Sequence, residues 1–191
     1  MVGARQAICR NGDFKTRAAD GNLYIEGYFA TFTGEYRMWD KAVERIDREA
    51  FDGTIGDDIR ALVNHDTTIV LGRTTAGTLT LRVDDIGLWG SILINQSDQD
   101  AMNAYERVKR GDVSQCSFGF DIINEETEIR PDGTTVWTLK KVKLYEVSVV
   151  TFPAYEDTMV EARKKDLEKI NGRKLEQWRN ETIKKLKRKE C

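Results

Sequence analysis

The sequence predicts a mainly β (α+β) fold: an antiparallel, barrel-like sheet with flanking helices, followed by a charged helical tail. Three observations carry that expectation. From Asn22 onward, short runs alternate apolar and polar residues with the period of two that a half-buried strand requires. Residues 97–112 instead space their apolar side chains three or four apart, as an amphipathic helix does. Past Pro153 the alternation stops and charged helix formers take over.

The elements follow in order. Residues 1–21 show no periodicity and read as a mobile N-terminal arm. "NLYIEGYFATF" is the first strand, and "TLTLRVDD" and "GLWGSILIN" form a hairpin whose connection uses Asp84, Asp85 and Gly87. Between them, "IDREAFDGTIGDDIRALVNHD" reads as a short helix or turn and then a strand ending at His65. In "SDQDAMNAYERVKRGD", Ser97 is placed to cap a helix with Asp100 completing a capping box. Gly111 suits its left-handed C-terminal position, and Ala101, Tyr105 and Val108 form the buried stripe. Two long strands follow, "SQCSFGFDIINEETEI" and "TVWTLKKVKLYEVSVVTF", joined by the turn signal "RPDG". The antiparallel strands are expected to close, or half close, as a barrel.

Composition excludes several classes. At 191 residues with 40% apolar and 32% charged residues, the chain suits a globular domain plus a tail. Its longest apolar runs fall short of the roughly 18 residues a membrane helix needs, and the polar N-terminus does not read as a secretory signal. Cys9, Cys116 and Cys191 are odd in number and far apart in sequence, which indicates neither a disulfide framework nor a zinc site. With one histidine, a metal centre is not expected. The net charge of −2 is unevenly divided. Residues 156–191 carry 12 basic against 8 acidic side chains, leaving 18 basic and 24 acidic in the remainder, so a boundary is expected near Tyr155. Within the tail, Val160, Leu167, Ile170, Trp178 and Leu186 make a thin apolar stripe interrupted at Asn171-Gly172. Such a segment is either a solvated helix or one that folds against a partner. Its interspersed acids argue against specific nucleic-acid binding.

The long hairpin concentrates polar residues. With Asp132 and Gly133 at the centre of the turn, Ser117 faces Ser148 and Gly119 faces Glu146. Alternation then gathers Ser117, Gly119, Glu146 and Ser148 on one face, with Cys116, Phe118, Phe120, Val147 and Val149 on the other. Diagonal neighbours across such a pair lie about 7–8 Å apart, near the width of an imidazole. A bulge or a one-residue slip would reverse one strand's faces. An acid inside "LYEVSVV" is costly to bury without a partner, and a histidine would satisfy it. Read singly, each residue has a plainer explanation. His65 can be a hydrogen-bonded structural residue, Ser117 can make room for the phenylalanines, and Glu146 can pair with Lys141 or Lys143.

Together, "IEGYFATF", "ALVNHD" with "LGRT", "GTLTLRVDDIGLWGSILI", "VKRGDVSQCSFGF" and "LYEVSVVTFPAY" resemble the prohead proteases of tailed bacteriophages, in order and spacing over residues 22–160. That family is related in fold to the herpesvirus assemblins. The resemblance implies an assemblin-like serine endopeptidase of capsid maturation, with His65 from "NHD", Ser117 from "SFGF" and Glu146 from "YEVS" as its catalytic residues. Asp66 competes with Glu146 for the acidic role. Ser114 is the alternative nucleophile, although alternation sends it to the Cys116 face. The implied organisation is an arm at 1–21, a protease domain at 22–155 and a tail at 156–191 removed by self-processing. The implied substrates are scaffold or scaffold-like segments of the major capsid protein, cut inside the assembling prohead in the host cytoplasm. No cofactor, metal, membrane or specific nucleic acid is expected, and self-association stays open. The competing functions are a non-catalytic scaffold or docking protein with the same fold, and a cysteine protease using Cys116.

Overall fold

A computed structural model describes residues 5–9, 14–152 and 157–187, with side chains over 14–152 and 164–184. The chain divides into two units, Met1–Ala154 and Tyr155–Cys191.

Strand β11 (Thr135–Val150) organises the first unit, because its two halves find different partners along one edge. Its N-terminal half pairs in parallel with β5 (Ala42–Ile46), which pairs in turn with β4 (Tyr36–Trp39). Its C-terminal half pairs in parallel with β6 (Arg60–Val63), which turns back into β7 (Asp66–Arg73). Between those halves the turn-rich segment after β5 takes up backbone groups of β11. Asp47 N–H donates to Leu139 O, Val142 N–H to Ala50 O, and Leu144 N–H to the Thr54 hydroxyl, each at 2.9 Å. A buried strand interior has to satisfy its amides in some such way. On its other edge β11 pairs with antiparallel β10 (Gln115–Ile129), and β10 with β1 (Arg5–Cys9). A second, antiparallel sheet runs in the order β2 (Lys15–Ala19), β3 (Asn22–Thr31), β9 (Gly87–Ile94), β8 (Leu79–Val83).

One apolar cluster is built from both sheets. It includes Ile25 and Phe29 of β3, Leu88 and Ile92 of β9, Cys116, Phe118 and Phe120 of β10, and Leu144, Val147 and Val149 of β11. Phe118 packs edge-on to Phe51 at 5.5 Å and stacks with Phe120 at 4.9 Å. The Cys116 thiol donates to Tyr28 O at 3.0 Å, tying β10 to β3.

Several expectations are corrected. Among the described residues the first unit contains two open sheets, one of them mixed, in place of a single antiparallel barrel. β5 and β6 follow one another in the same direction along one edge of β11 and both pair with it in parallel, which alternation alone does not reveal. Strands β1 and β2 lie inside the segment 1–21 where periodicity offered no element; backbone pairing does not require alternating side chains. Helix α1 (Gln99–Arg110) is capped by Asp98, whose carboxylate accepts from Asp100 and Ala101 N–H, one residue beyond Ser97. Gly111 closes it at φ 87°, and Ala101, Ala104, Tyr105 and Val108 are buried.

In the second unit, α2 (Asp157–Lys187) runs without a break through Asn171-Gly172. A helical glycine costs only about 1 kcal/mol relative to alanine, so Gly172 weakens the helix without ending it. Leu167 and Ile170 are half-buried, whereas Leu175, Trp178 and Ile183 are exposed. Val160 and Leu186 of the expected stripe fall outside the described side chains. No helix among the described residues is long and apolar enough to cross a membrane.

Asp47 links the turn-rich segment to β11. It accepts from Lys140 Nζ at 2.6 Å and from Glu49 N–H at 3.1 Å. Chiefly the Lys140 bond, helped by the Glu49 N–H, holds its carboxyl below the usual carboxylate range. Because the folded-state value is depressed, its stabilisation is present above the unfolded pKa of about 3.9 and is lost as pH falls through the folded value. The stability difference between wild type and Asp47→Asn, read from urea midpoints, is therefore expected to shrink below about pH 4. A difference that stays constant down to acid unfolding would contradict this.

Candidate active site

The histidine is placed by a two-residue hairpin. Val63 of β6 pairs with Asp66 of β7, leaving Asn64 at φ 50° and His65 at φ 61° as the connection. Two successive positive φ values mark a type I′ turn, which matches the twist of the flanking strands. Asparagine is a usual residue at the first position, and glycine is favoured at the second. A histidine there accepts a backbone conformation that side-chain-bearing residues adopt infrequently. The turn is fastened to the end of β11. Asn64 N–H donates to Val149 O at 3.0 Å, the Asn64 Oδ1 accepts from Thr151 N–H at 2.8 Å, and His65 N–H donates to the Ser148 hydroxyl at 3.2 Å.

That fastening lays the imidazole beside β11. His65 Nδ1 lies 2.6 Å from Glu146 Oε1, with side-chain exposures of 10% and 13% that put the pair largely out of water. Against an ionised carboxylate, which only accepts, Nδ1 of a neutral ring would be the donor and Nε2 the basic atom. Nε2 is buried and makes no hydrogen bond among the described residues, Ser117 included. The second carboxylate oxygen, Glu146 Oε2, accepts from the Ser148 hydroxyl at 2.6 Å.

The opposing strand makes room for the acid. Gly119 pairs with Glu146, and a Cβ built on Gly119 would run into Oε1 while meeting Cγ at 3.0 Å and Cδ at 3.1 Å. Ser117 pairs with Ser148, and both are fully buried. Ser148 thus neighbours Ser117 across the ladder and His65 across the turn.

This register arises from offsets that cancel, a mutually cancelling pair around Asn124 among them. Gly133 N–H bonds to Arg130 O, so Pro131 and Asp132 are the central turn residues and Gly133 follows at φ 84°. With Arg130 bonded to Thr134, Gly133 is a third loop residue, so the pairs near the turn sit one residue off those of a turn centred on Asp132-Gly133, as in Ile129 opposite Thr135. A bulge opposite Gly119 and Phe120 inserts Tyr145 on β11 and restores the pairs beyond it. The Tyr145 hydroxyl is anchored to Asp121 at 2.7 Å, a bond that also raises its pKa.

The other candidates lie elsewhere. Asp66 Oδ1 accepts from Thr68 N–H at 2.8 Å and the Thr68 hydroxyl at 2.6 Å, and these bonds, the hydroxyl's first, keep it below the usual carboxylate range. Ser114 is exposed ahead of β10. Cys116 points into the apolar cluster on the face opposite Ser117. Asn64 and Thr151 have no place among the sequence expectations, and Ser148 stands there on the polar face without a role. An Asn-His pair between two strands was the available signal for the turn.

A sequence profile described as caudovirus prohead serine protease matches residues 12–173. The prohead protease of Escherichia phage T5 is 28% identical over 118 residues, covering 62% of this chain and 50% of that protein. The chain therefore spans about half the length of the curated relative it matches. No solved structure matches it.

The Gly119–Glu146 contact predicts a strong coupling. Gly119→Ala is expected to cost about 1–3 kcal/mol in the wild-type background and little in Glu146→Ala, where the obstructing carboxylate is gone. Urea unfolding of the two single variants and the double variant measures this. Additive losses would show that the glycine serves something other than the carboxylate.

Proposed function

Because the chain belongs to the caudovirus prohead serine protease family, we propose that it is a serine endopeptidase of phage capsid maturation in which Ser117 is the nucleophile, His65 the general base and Glu146 the residue that orients the base. The observation that carries this reading is the 2.6 Å bond between His65 Nδ1 and Glu146 Oε1, made beside the strand that holds Ser117.

A serine hydroxyl is a weak nucleophile at neutral pH and needs a base to take its proton as it attacks. A neutral imidazole that is a donor at Nδ1 offers Nε2 for that task. As Oγ bonds to the scissile carbonyl carbon, the proton passes to Nε2 and the carbonyl oxygen becomes an oxyanion. The imidazolium formed is stabilised by the carboxylate at Nδ1, which itself stays ionised. The same Nε2–H then protonates the departing amine as the C–N bond breaks, leaving an ester on Ser117. Water, deprotonated by Nε2, hydrolyses the ester and restores the hydroxyl. Asp66 is committed to Thr68, which favours Glu146 for the orienting role.

The proposed substrates are scaffold-like segments of the major capsid protein, cut inside the prohead as it assembles in the host cytoplasm. The division of the chain at residues 154–155 suits a protease body followed by a helix that the enzyme removes from itself. A non-catalytic assembly protein with this fold is the outcome that inactive variants would reveal.

Incubated with the major capsid protein, Ser117→Ala and His65→Ala are expected to lose on the order of 10³-fold or more of cleavage, and the double variant no more than either alone. Ser114→Ala is expected to keep its activity. Intact mass spectrometry should show wild type shortening at its C-terminal side while Ser117→Ala stays whole. Equal capsid cleavage by wild type and Ser117→Ala would overturn the reading.

A further inference from the structure

We infer that Ser148 is a positioning residue of this site, a buried hydroxyl that sets the roll of the Glu146 carboxylate and the seat of the His65 turn together. The inference rests on the proposed roles of His65 and Glu146 and adds to them the group that holds the two in register.

Ser148 is fully buried on β11, with Ser117 opposite it on one side and Leu62 of β6 on the other. Its hydroxyl is used at both ends. The single proton goes to Glu146 Oε2 at 2.6 Å, and a lone pair accepts His65 N–H at 3.2 Å. Glu146 Oε1 meanwhile takes His65 Nδ1, also at 2.6 Å. The three groups close a ring: backbone of His65 to Ser148, Ser148 to Glu146, Glu146 to the imidazole of His65. A carboxylate held by one oxygen can turn about its Cγ–Cδ bond, whereas one held by both has a fixed plane. The turn carrying His65 has an unusual backbone, so the tie from its N–H matters more than one more strand bond would.

The same bonds rule Ser148 out as a nucleophile. Its proton is directed at an acid two residues away on its own strand, and His65 approaches it with a backbone N–H. Ser117 and Ser148 face each other across the ladder, yet they are not interchangeable.

The plainer account is that a buried strand serine has bonded to the nearest acceptor, with consequences for stability alone. The two accounts differ in readouts that stability does not move. The chain has one histidine, so its ring gives one set of imidazole NMR signals. In the full-length Ser117→Ala protein, which should not turn over, the Nδ1 proton bonded to Glu146 is expected as a single low-field resonance. Ser148→Ala should move it upfield and speed its exchange with water, and Ser148→Thr, which keeps the hydroxyl, should restore it. With Ser117 intact, Ser148→Ala is expected to lower kcat about tenfold to a hundredfold at unchanged KM, the range for losing a hydrogen bond to a charged group. Ser148→Thr should recover most of that loss. Ser148→Cys, near in volume and a weak donor, should behave like the alanine variant and carries the same comparison if the alanine variant does not fold.

An unmoved low-field proton and unchanged kcat in folded Ser148→Ala or Ser148→Cys would overturn the inference, as would a threonine variant as impaired as alanine. Failure of the parent reading looks different: Ser117→Ala would keep cleaving, whatever the imidazole resonance did.

Discussion

The hydrogen bond between His65 Nδ1 and Glu146 Oε1 is the constraint on which the site depends, and much of the surrounding architecture can be understood as what that bond requires. Its two ends lie 81 residues apart in sequence. One sits on a hairpin tip whose backbone is bent to positive φ, and the other on a strand whose register is corrected by a bulge. Neither end reaches the other by helical or strand periodicity alone. The turn has to be stitched to β11 at Ser148, Val149 and Thr151, and the facing strand has to lack a side chain at Gly119. Each is a small local demand, and together they hold the ring with Nδ1 against the carboxylate.

The sheet explains why those demands can be met. Strand β11 is shared between β5, the segment after it, and β6 along one edge, and lies against β10 on the other. Its apolar side chains Leu144, Val147 and Val149 enter the common core, while Glu146 and Ser148 alternate with them on the other side. The core thereby anchors the strand, and the strand anchors the acid. An unpaired carboxylate so little exposed would be costly; with a histidine on one oxygen and a serine on the other, its main acceptor sites are filled. The stability of the strand and the chemistry of its polar face are thus coupled through single-residue alternation.

Much of this was legible in the sequence, for reasons that differ between elements. Strands β3, β8 and β9 and the helix of residues 99–110 follow from periodicity because each has a more buried and a wetter face, whereas β4, β5 and β7 gave no such signal. The parallel pairing of β5 and of β6 with β11 was not legible, since alternation is silent about which strand lies alongside which. The cap fell one residue later than Ser97 because Asp98 supplies an equally good acceptor. The break expected at Asn171-Gly172 is absent because a propensity penalty weakens a helix without ending it. The pairing of Ser117 with Ser148 and of Gly119 with Glu146 follows from a two-residue turn at Asp132-Gly133, whereas the loop is the three residues Pro131, Asp132 and Gly133. The extra residue at Tyr145 compensates, and the two shifts on either side of Asn124 cancel each other, so the agreement at that end of the hairpin comes from irregularities of opposite sense. The Ser148 hub and the Asn64–Thr151 tie were hidden because short polar residues near strand ends are common and their partners depend on tertiary contact.

The central claim is that Ser117 is the hydroxyl this histidine–carboxylate pair activates. Reaction of the full chain with a fluorophosphonate, followed by peptide mapping, tests it most directly. The account predicts a phosphonyl group on Ser117 that fails to form when His65 is replaced by alanine. Modification at Ser114 or Ser148 in its place, or labelling of Ser117 that ignores the loss of His65, would contradict it.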